Sequence, residues 1–191
     1  MCGPSGRPLA WALFSDQSQI TLRVLSDAAS EPTDAMVVRR IEEALAFRHS
    51  LGINATAYRL VHGEADRLPS LVVDRYGDYL VVQTLSQGMD RLLPLVTDAL
   101  VAQLAPRGIL ARNDPRARQL EGLDRTVEVV AGAVPDTVDV QELGIWYAAD
   151  LWKGQKTGLF LDQRENREAA ARYARGRFLD CFSYNGGFAL S

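Results

Sequence analysis

Cysteine and histidine are both scarce, two of each in 191 residues. Cys2 lies in an irregular start and Cys181 in an apolar run expected to be a buried strand, so reduced thiols rather than a structural disulfide are expected. With His49 and His62 the only imidazoles, and no Cys-x-x-Cys or His-x-x-x-His spacing, a zinc site cannot readily be assembled and no metal is expected. Long apolar runs are missing too. Leu71 to Val73 and Leu80 to Val82 are bounded by Asp74, Arg75, Asp78 and Gln83, far short of the roughly 20 apolar residues that span a bilayer. Met1 to Pro8 lacks an apolar stretch between basic residues and a small-residue cleavage site, so neither leader nor anchor is expected, and a cytoplasmic location follows. Nor is there an excess of positive charge. The net charge is -3, which excludes a uniformly basic nucleic-acid binder.

What is there is ordinary globular composition, 47% hydrophobic and 24% charged, enough for one domain or two small ones. Leu9 to Phe14 and Gln19 to Leu25 alternate as a hairpin does. Thr33 or Asp34 caps a helix with Val37 or Val38, Ile41, Ala44 and Leu45 on one face, ending at Gly52. Tyr58 to Val61, Ser70 to Asp74 and Tyr79 to Leu85 read as a meander with a tight turn at Gly77. A helix from about Asp90 to Leu104 follows, with Pro94 in its first turn. Gly108 to Ala111, Thr126 to Val130, Thr137 to Glu142 and Ile145 to Ala149 then complete an α+β unit. The character changes after Leu151. Asp162-Gln163-Arg164-Glu165 reads as a capping box opening a helix to about Arg175, with Gly176 at its end. Arg177 to Phe182 reads as a strand, Ser183 to Gly187 as a loop, and Phe188 to Ser191 as the first turn of a helix, the opening of a Rossmann-like unit.

Three stretches carry candidate chemistry. In Leu179 to Phe188, glycines at a strand's carboxyl end let backbone N–H groups approach an anionic ligand group. The spacing is neither Gly-x-Gly-x-x-Gly nor Gly-Lys-Ser/Thr, which disfavours dinucleotides and nucleoside triphosphates. By spacing alone an ordinary strand-to-helix turn is the better fit. Gly154 to Arg164 sets amide, hydroxyl and ammonium donors beside apolar groups, as a polar cofactor with an adenine ring requires. Arg112-Asn113-Asp114, with Arg116 and Arg118, could contact RNA phosphates or form a helix-capping turn. Between Leu151 and Arg177 seven basic residues face three acids, a basic patch or a solvated helix face. His62, Glu64 and Asp66 read as turn formers, and Trp11, Trp146 and Trp152 as packing residues rather than base-stacking platforms.

From Arg7 onward the chain resembles the bacterial ribosomal RNA large-subunit methyltransferase I family. The resemblance is carried by Ser18-Gln19-Ile20 with Arg23-Val24-Leu25, Tyr58 to Asp66, Leu71 to Asp78, Arg112-Asn113-Asp114, Gly154 to Arg164 and Asp180 to Leu190, in order. Leu159 and Asn185 stand where the family usually has Phe and Thr. The family implies S-adenosylmethionine (SAM)-dependent methylation of an RNA cytosine at C5, on an N-terminal PUA domain, a central α+β domain and a Rossmann-like catalytic domain. Transferred here, it implies a PUA remnant over 1–27, a central domain over 28–150 and the start of a truncated methyltransferase domain over 151–191. Asp180, Ser183, Asn185, Gly186 and Gly187 would form the first SAM motif, bordered by Lys156, Thr157, Phe160, Asp162, Gln163 and Arg164. Arg112, Asn113, Arg116 and Arg118 are the RNA candidates, and ribosomal RNA is the expected partner. The catalytic cysteine is expected beyond Ser191. The chain alone is therefore expected to be inactive, with an end that frays or forms a homodimer through its open edge. A non-catalytic RNA- or ribosome-binding module is the competing reading.

Overall fold

The computed structural model describes residues 1–191. A two-stranded hairpin comes first, β1 (Ala10–Phe14) with β2 (Leu22–Asp27), then helix α1 (Asp34–Ser50). Strands β3 (Ala57–His62), β4 (Leu71–Tyr76) and β5 (Tyr79–Thr84) form the meander. Helices α2 (Gln87–Arg91) and α3 (Leu93–Leu104) cross back to β6 (Gly108–Asn113), which runs parallel to β5, and β7 (Thr126–Gly132) closes the sheet. Its order is β3-β4-β5-β6-β7. A second hairpin, β8 (Thr137–Glu142) with β9 (Ile145–Asp150), precedes α4 (Arg164–Tyr173) and the single turn α5 (Gly187–Leu190).

Strand alternation sorts the central sheet's side chains onto two faces. Leu71, Val73, Leu80, Val82 and Ile109 pack against Val37 and Ile41 of α1 and Val96 and Leu100 of α3. Tyr76, Val81 and Leu110 point the other way, onto Val140 and Ala149 of the second hairpin and onto Leu151, Leu159 and Leu161 beyond it. α1 starts where Thr33 accepts the Met36 N–H at 3.2 Å and carries Arg48 and His49 in its last turn, where cations suit the helix dipole. The first hairpin is tied to the body by Arg23, which meets the buried Glu121 carboxylate at 2.7 Å. No helix is long and apolar enough to cross a membrane.

The start of β6 meets its neighbour so closely that a β-carbon on Gly108 would lie 2.3 Å from the carbonyl oxygen of Ala133. Backbone cannot yield there as a flexible side chain does. Gly108→Ala is expected to cost roughly 1–3 kcal/mol or more, read as a lowered urea midpoint with an unchanged slope.

The end of the chain departs from the sequence reading. Arg177 to Phe182 forms no strand and Cys181 is exposed. A Rossmann strand is held by neighbours, and no strand in this chain pairs with it. Asp162 caps nothing, because its carboxylate is taken by Lys156 and a 3₁₀ turn, Leu161–Gln163, leads into α4 without a side-chain cap. α4 ends at Tyr173, with an extended Ala174 at its end, two residues before Gly176. Four of the seven basic residues from Leu151 to Arg177 are paired, Lys156 with Asp162, Arg164 with Glu165, Arg167 with Glu142 and Arg172 with Glu168, which leaves Lys153, Arg175 and Arg177 without an ion pair.

Candidate functional site

The second hairpin covers only part of its face of the central sheet. Beside it lies a cavity of about 930 Å³ whose floor is Arg59 and His62 of β3, Val72 of β4, Gln83 of β5 and Arg112 of β6. Gly154 to Thr157, with Leu159, Leu161 and Asp162, form the facing wall. That wall is held by groups rising from the sheet. Arg112 donates from Nη1 to the Leu151 carbonyl at 3.2 Å and from Nη2 to that of Gly154 at 2.5 Å. Below, a chain of hydrogen bonds has one consistent direction. The Thr157 hydroxyl lies 2.7 Å from Asp74 Oδ2, and an ionised carboxylate only accepts, so Thr157 donates its one proton there. The Tyr76 hydroxyl, 2.9 Å from Thr157 Oγ1, must then donate to it while accepting the Leu159 N–H at 3.1 Å.

Asp74 is fully buried and accepts Arg59 Nε at 2.8 Å and Nη2 at 2.9 Å. Those hydrogen bonds raise the Arg59 pKa above its ordinary value, against the opposing effect of burial. The Tyr76 phenol is pushed well above its usual 10, first by burial and then by the Asp74 charge. A raised pKa favours the neutral phenol in the fold. Its contribution is complete below pH 10 and is lost as pH rises from there toward the folded-state pKa. Tyr76→Phe, which leaves the Leu159 N–H without its acceptor, is expected to cost about 1–3 kcal/mol at neutral pH. It should also flatten the fall in stability above pH 10, a difference visible by chemical denaturation at pH 7 and pH 10.5.

Both expected cofactor stretches come together in the fold. The Tyr184 hydroxyl lies 3.3 Å from the Gln155 nitrogen and from the Gly158 carbonyl, and its ring meets Phe160 edge-on at 5.4 Å. Lys156 sits 4.5 Å from the Phe160 ring centroid and 2.7 Å from Asp162, whose pKa that hydrogen bond lowers. Gln163 hydrogen-bonds Asp162 and Asn166, while Arg164 pairs with Glu165. Thr157 is buried with its hydroxyl committed to Asp74 and Tyr76. Gly186 turns the loop with φ +74, hydrogen-bonded to the Ser183 carbonyl, and Gly187 packs on Arg167. Asn185 is half-buried in this loop. Asp180 Oδ2 is buried without a hydrogen-bond partner. None of Asp180 to Gly187 lines the large cavity, which lies across the Gly154–Asp162 wall.

The RNA candidates divide. Arg112, Asn113 and Arg118 are buried. Asn113 receives the Thr84 N–H, and Arg118 donates to the carbonyls of Thr84 and Asp124 and to Asp90. These internal bonds hold Asn113 and Arg118 as packing elements; only Arg112 reaches the cavity, and Arg116 is exposed. Sequence reading passed over Arg59, Asp74, Tyr76, Tyr184 and the Glu142–Arg167 pair. The available signal was an acid and a phenol two apart inside an apolar strand.

Two solved structures share this fold. A putative SAM-dependent methyltransferase from Streptococcus mutans superposes with a TM-score of 0.82 at 20% identity, over 99% of this chain and 50% of its own. A putative methyltransferase in complex with SAH gives 0.83 at 22%, over 99% and 49%. At those identities the likeness shows the fold. The family comes from sequence. Proteins named Ribosomal RNA large subunit methyltransferase I are 41% identical in Erwinia tasmaniensis, across 100% of this chain and 50% of the relative. The Aliivibrio fischeri and Vibrio vulnificus proteins of that name are 40% and 36% identical, across 97% and 98% of this chain and 48% of each. By sequence, therefore, the chain is homologous along its length to ribosomal RNA large subunit methyltransferase I. It spans about half the length of the curated relatives it matches. No family model matches.

Proposed function

We propose that this chain is part of an enzyme that transfers a methyl group from SAM to a cytosine C5 of large-subunit ribosomal RNA in the cytoplasm. The identity along the whole chain to proteins of that name carries the reading. The division into a PUA remnant, a central domain and the start of a methyltransferase domain comes with it.

The residues present fit the cofactor. Asp180 keeps a buried carboxylate oxygen without a partner, ready for a ligand hydroxyl or ammonium. Ser183, Asn185, Gly186 and Gly187 offer the loop backbone, with Lys156, Phe160, Asp162, Gln163 and Arg164 alongside; Thr157 supports that border from beneath. Bound SAM would supply the electrophilic methyl group. The chain by itself should be inactive and bind SAM poorly, because a loop without its sheet must be ordered by the ligand. Phe178, Leu179, Phe182 and Leu190 are exposed, which also supports association with a second copy. Arg116 and the cavity edge at Arg112 remain the candidates for RNA contact, and a binding module without catalysis is the second reading.

A chimera tests this directly: these 191 residues fused to the unmatched half of the Erwinia tasmaniensis relative. Labelled SAM should methylate large-subunit ribosomal RNA with the chimera and not with the chain alone. A folded chimera that binds the RNA without transferring methyl would favour the module, and turnover by the chain alone would overturn its assigned inactivity.

A further inference from the structure

The cavity on the open sheet face is not lined by the Ser183–Gly187 loop, and its chemistry points to a ligand beside the cofactor border, with which it shares Lys156 and Asp162. Its lining carries the cations Arg48, Arg59, Arg112 and Lys156 against the carboxylates Asp114 and Asp162. The acids that balance Arg48 and Arg59, Asp66 and Asp74, are not in the lining, and Asp74 is fully buried. Positive charge therefore faces the cavity with its counter-charge behind it. The guanidinium groups are also fixed in place. Arg48 forms a two-bond pair with Asp66 at 2.6 and 2.7 Å. Arg59 spends Nε and Nη2 on Asp74, and its Nη1 lies 3.1 Å from His62 Nδ1. All of these partners sit at the rim of the guanidinium plane, yet a third of the Arg59 side chain, 34%, stays exposed. What remains for a ligand is the flat face, which stacks on aromatic rings, and one N–H on each of Nη1 and Nη2. Val72, Leu85 and Leu159 supply apolar surface beside it.

A flat π-ring with an attached anion is what such a cavity fits, and at about 930 Å³ it is large for a lone phosphate. We propose that the cavity holds one unpaired nucleotide of RNA, its base on the face of Arg59 and its phosphate drawn by the surplus positive charge. RNA readers commonly take splayed-out bases on arginine planes in this way. The assignment rests on the proposed rRNA methyltransferase reading for the identity of the polymer, and on the cavity for its place. The site would hold substrate RNA between the central sheet and the Gly154–Asp162 wall, whose Lys156 and Asp162 it shares with the cofactor border.

The test uses the chimera, with calorimetric titration of a cytidine-containing single-stranded RNA hexamer and of the same hexamer made abasic. Val72→Phe fills the cavity; Arg59→Lys keeps the charge and removes the plane. Each should weaken hexamer binding by about tenfold, the loss of one stacked base, while abasic binding, SAM binding and melting midpoint hold for Val72→Phe. Hexamer affinity unchanged in a folded Val72→Phe chimera would overturn the proposal, and if that chimera still methylates ribosomal RNA, the enzymatic reading survives it. Conversely, a chimera that never methylates but loses base-dependent binding in both variants keeps the cavity assignment and defeats the enzyme. A drop equal for hexamer and abasic strand would also overturn it, since the base would then contribute nothing.

Discussion

Asp74→Ala should lower the stability of the chain by about 3 kcal/mol, with a melting midpoint some 6–12 °C lower. Asp74 has no exposed surface and accepts two hydrogen bonds from Arg59 and one from Thr157. Alanine removes all three at once, leaving a guanidinium and a hydroxyl in place with nothing to accept their protons. Breaking a buried ion pair typically costs about 3–5 kcal/mol, and the low end applies because Arg59 retains some solvent contact. Removing both charges is a different experiment. In Arg59→Met with Asp74→Leu neither partner is stranded, and the double variant should recover much of the loss. Thermal melts of the three proteins decide it. A single variant as stable as the parent would mean that the Gly154–Leu161 wall is held by Arg112 and Tyr76 alone.

That network explains which parts of the molecule could be read from sequence. The meander and the two long helices follow from local pattern, because Val37, Ile41, Val96 and Leu100 recur at helical spacing and Leu80 and Val82 alternate in a strand whose partner is a tight turn away. The wall of the cavity does not. Thr157 and Asp74 lie 83 residues apart, and nothing in either neighbourhood says that one is the other's partner. The Gly154 to Arg164 motif was visible as a cluster of polar groups, but its hydroxyl proved to face the sheet and not the open side. Arg118 and Asn113 illustrate the same limit. As a string they look like phosphate ligands; in the fold they satisfy the Thr84 backbone and the Asp124 carbonyl. Arg177 to Phe182 fails for the opposite reason. The local pattern suits a strand, yet a strand is defined by neighbours, and none is present to pair with it.

The other large effect is expected at Arg167, and it should be local. Arg167 and Glu142 are 6% and 7% exposed and meet at 2.5 Å, joining α4 to the end of β8. A second bond runs from Arg167 Nη2 to the Phe160 carbonyl at 3.1 Å, and the guanidinium end of the side chain packs against Gly187. One guanidinium thus ties the hairpin, the cavity wall and the cofactor loop together. Arg167→Ala leaves Glu142 buried and unpaired, at a cost of about 3–5 kcal/mol. The central sheet is held independently by its own two apolar clusters, so the chain can relieve that cost by releasing α4 and α5 rather than by unfolding. Hydrogen exchange at Arg164–Tyr173 should then accelerate by roughly a hundredfold or more, as far as the local stability of that helix permits, while β4, β5 and β6 keep their protection. Replacing Glu142 by Gln in the Arg167→Met background leaves no stranded charge and should restore part of the helix protection. Uniform loss of protection across the sheet in Arg167→Ala would show that the pair holds the whole fold, and unchanged exchange in α4 would show that it holds neither.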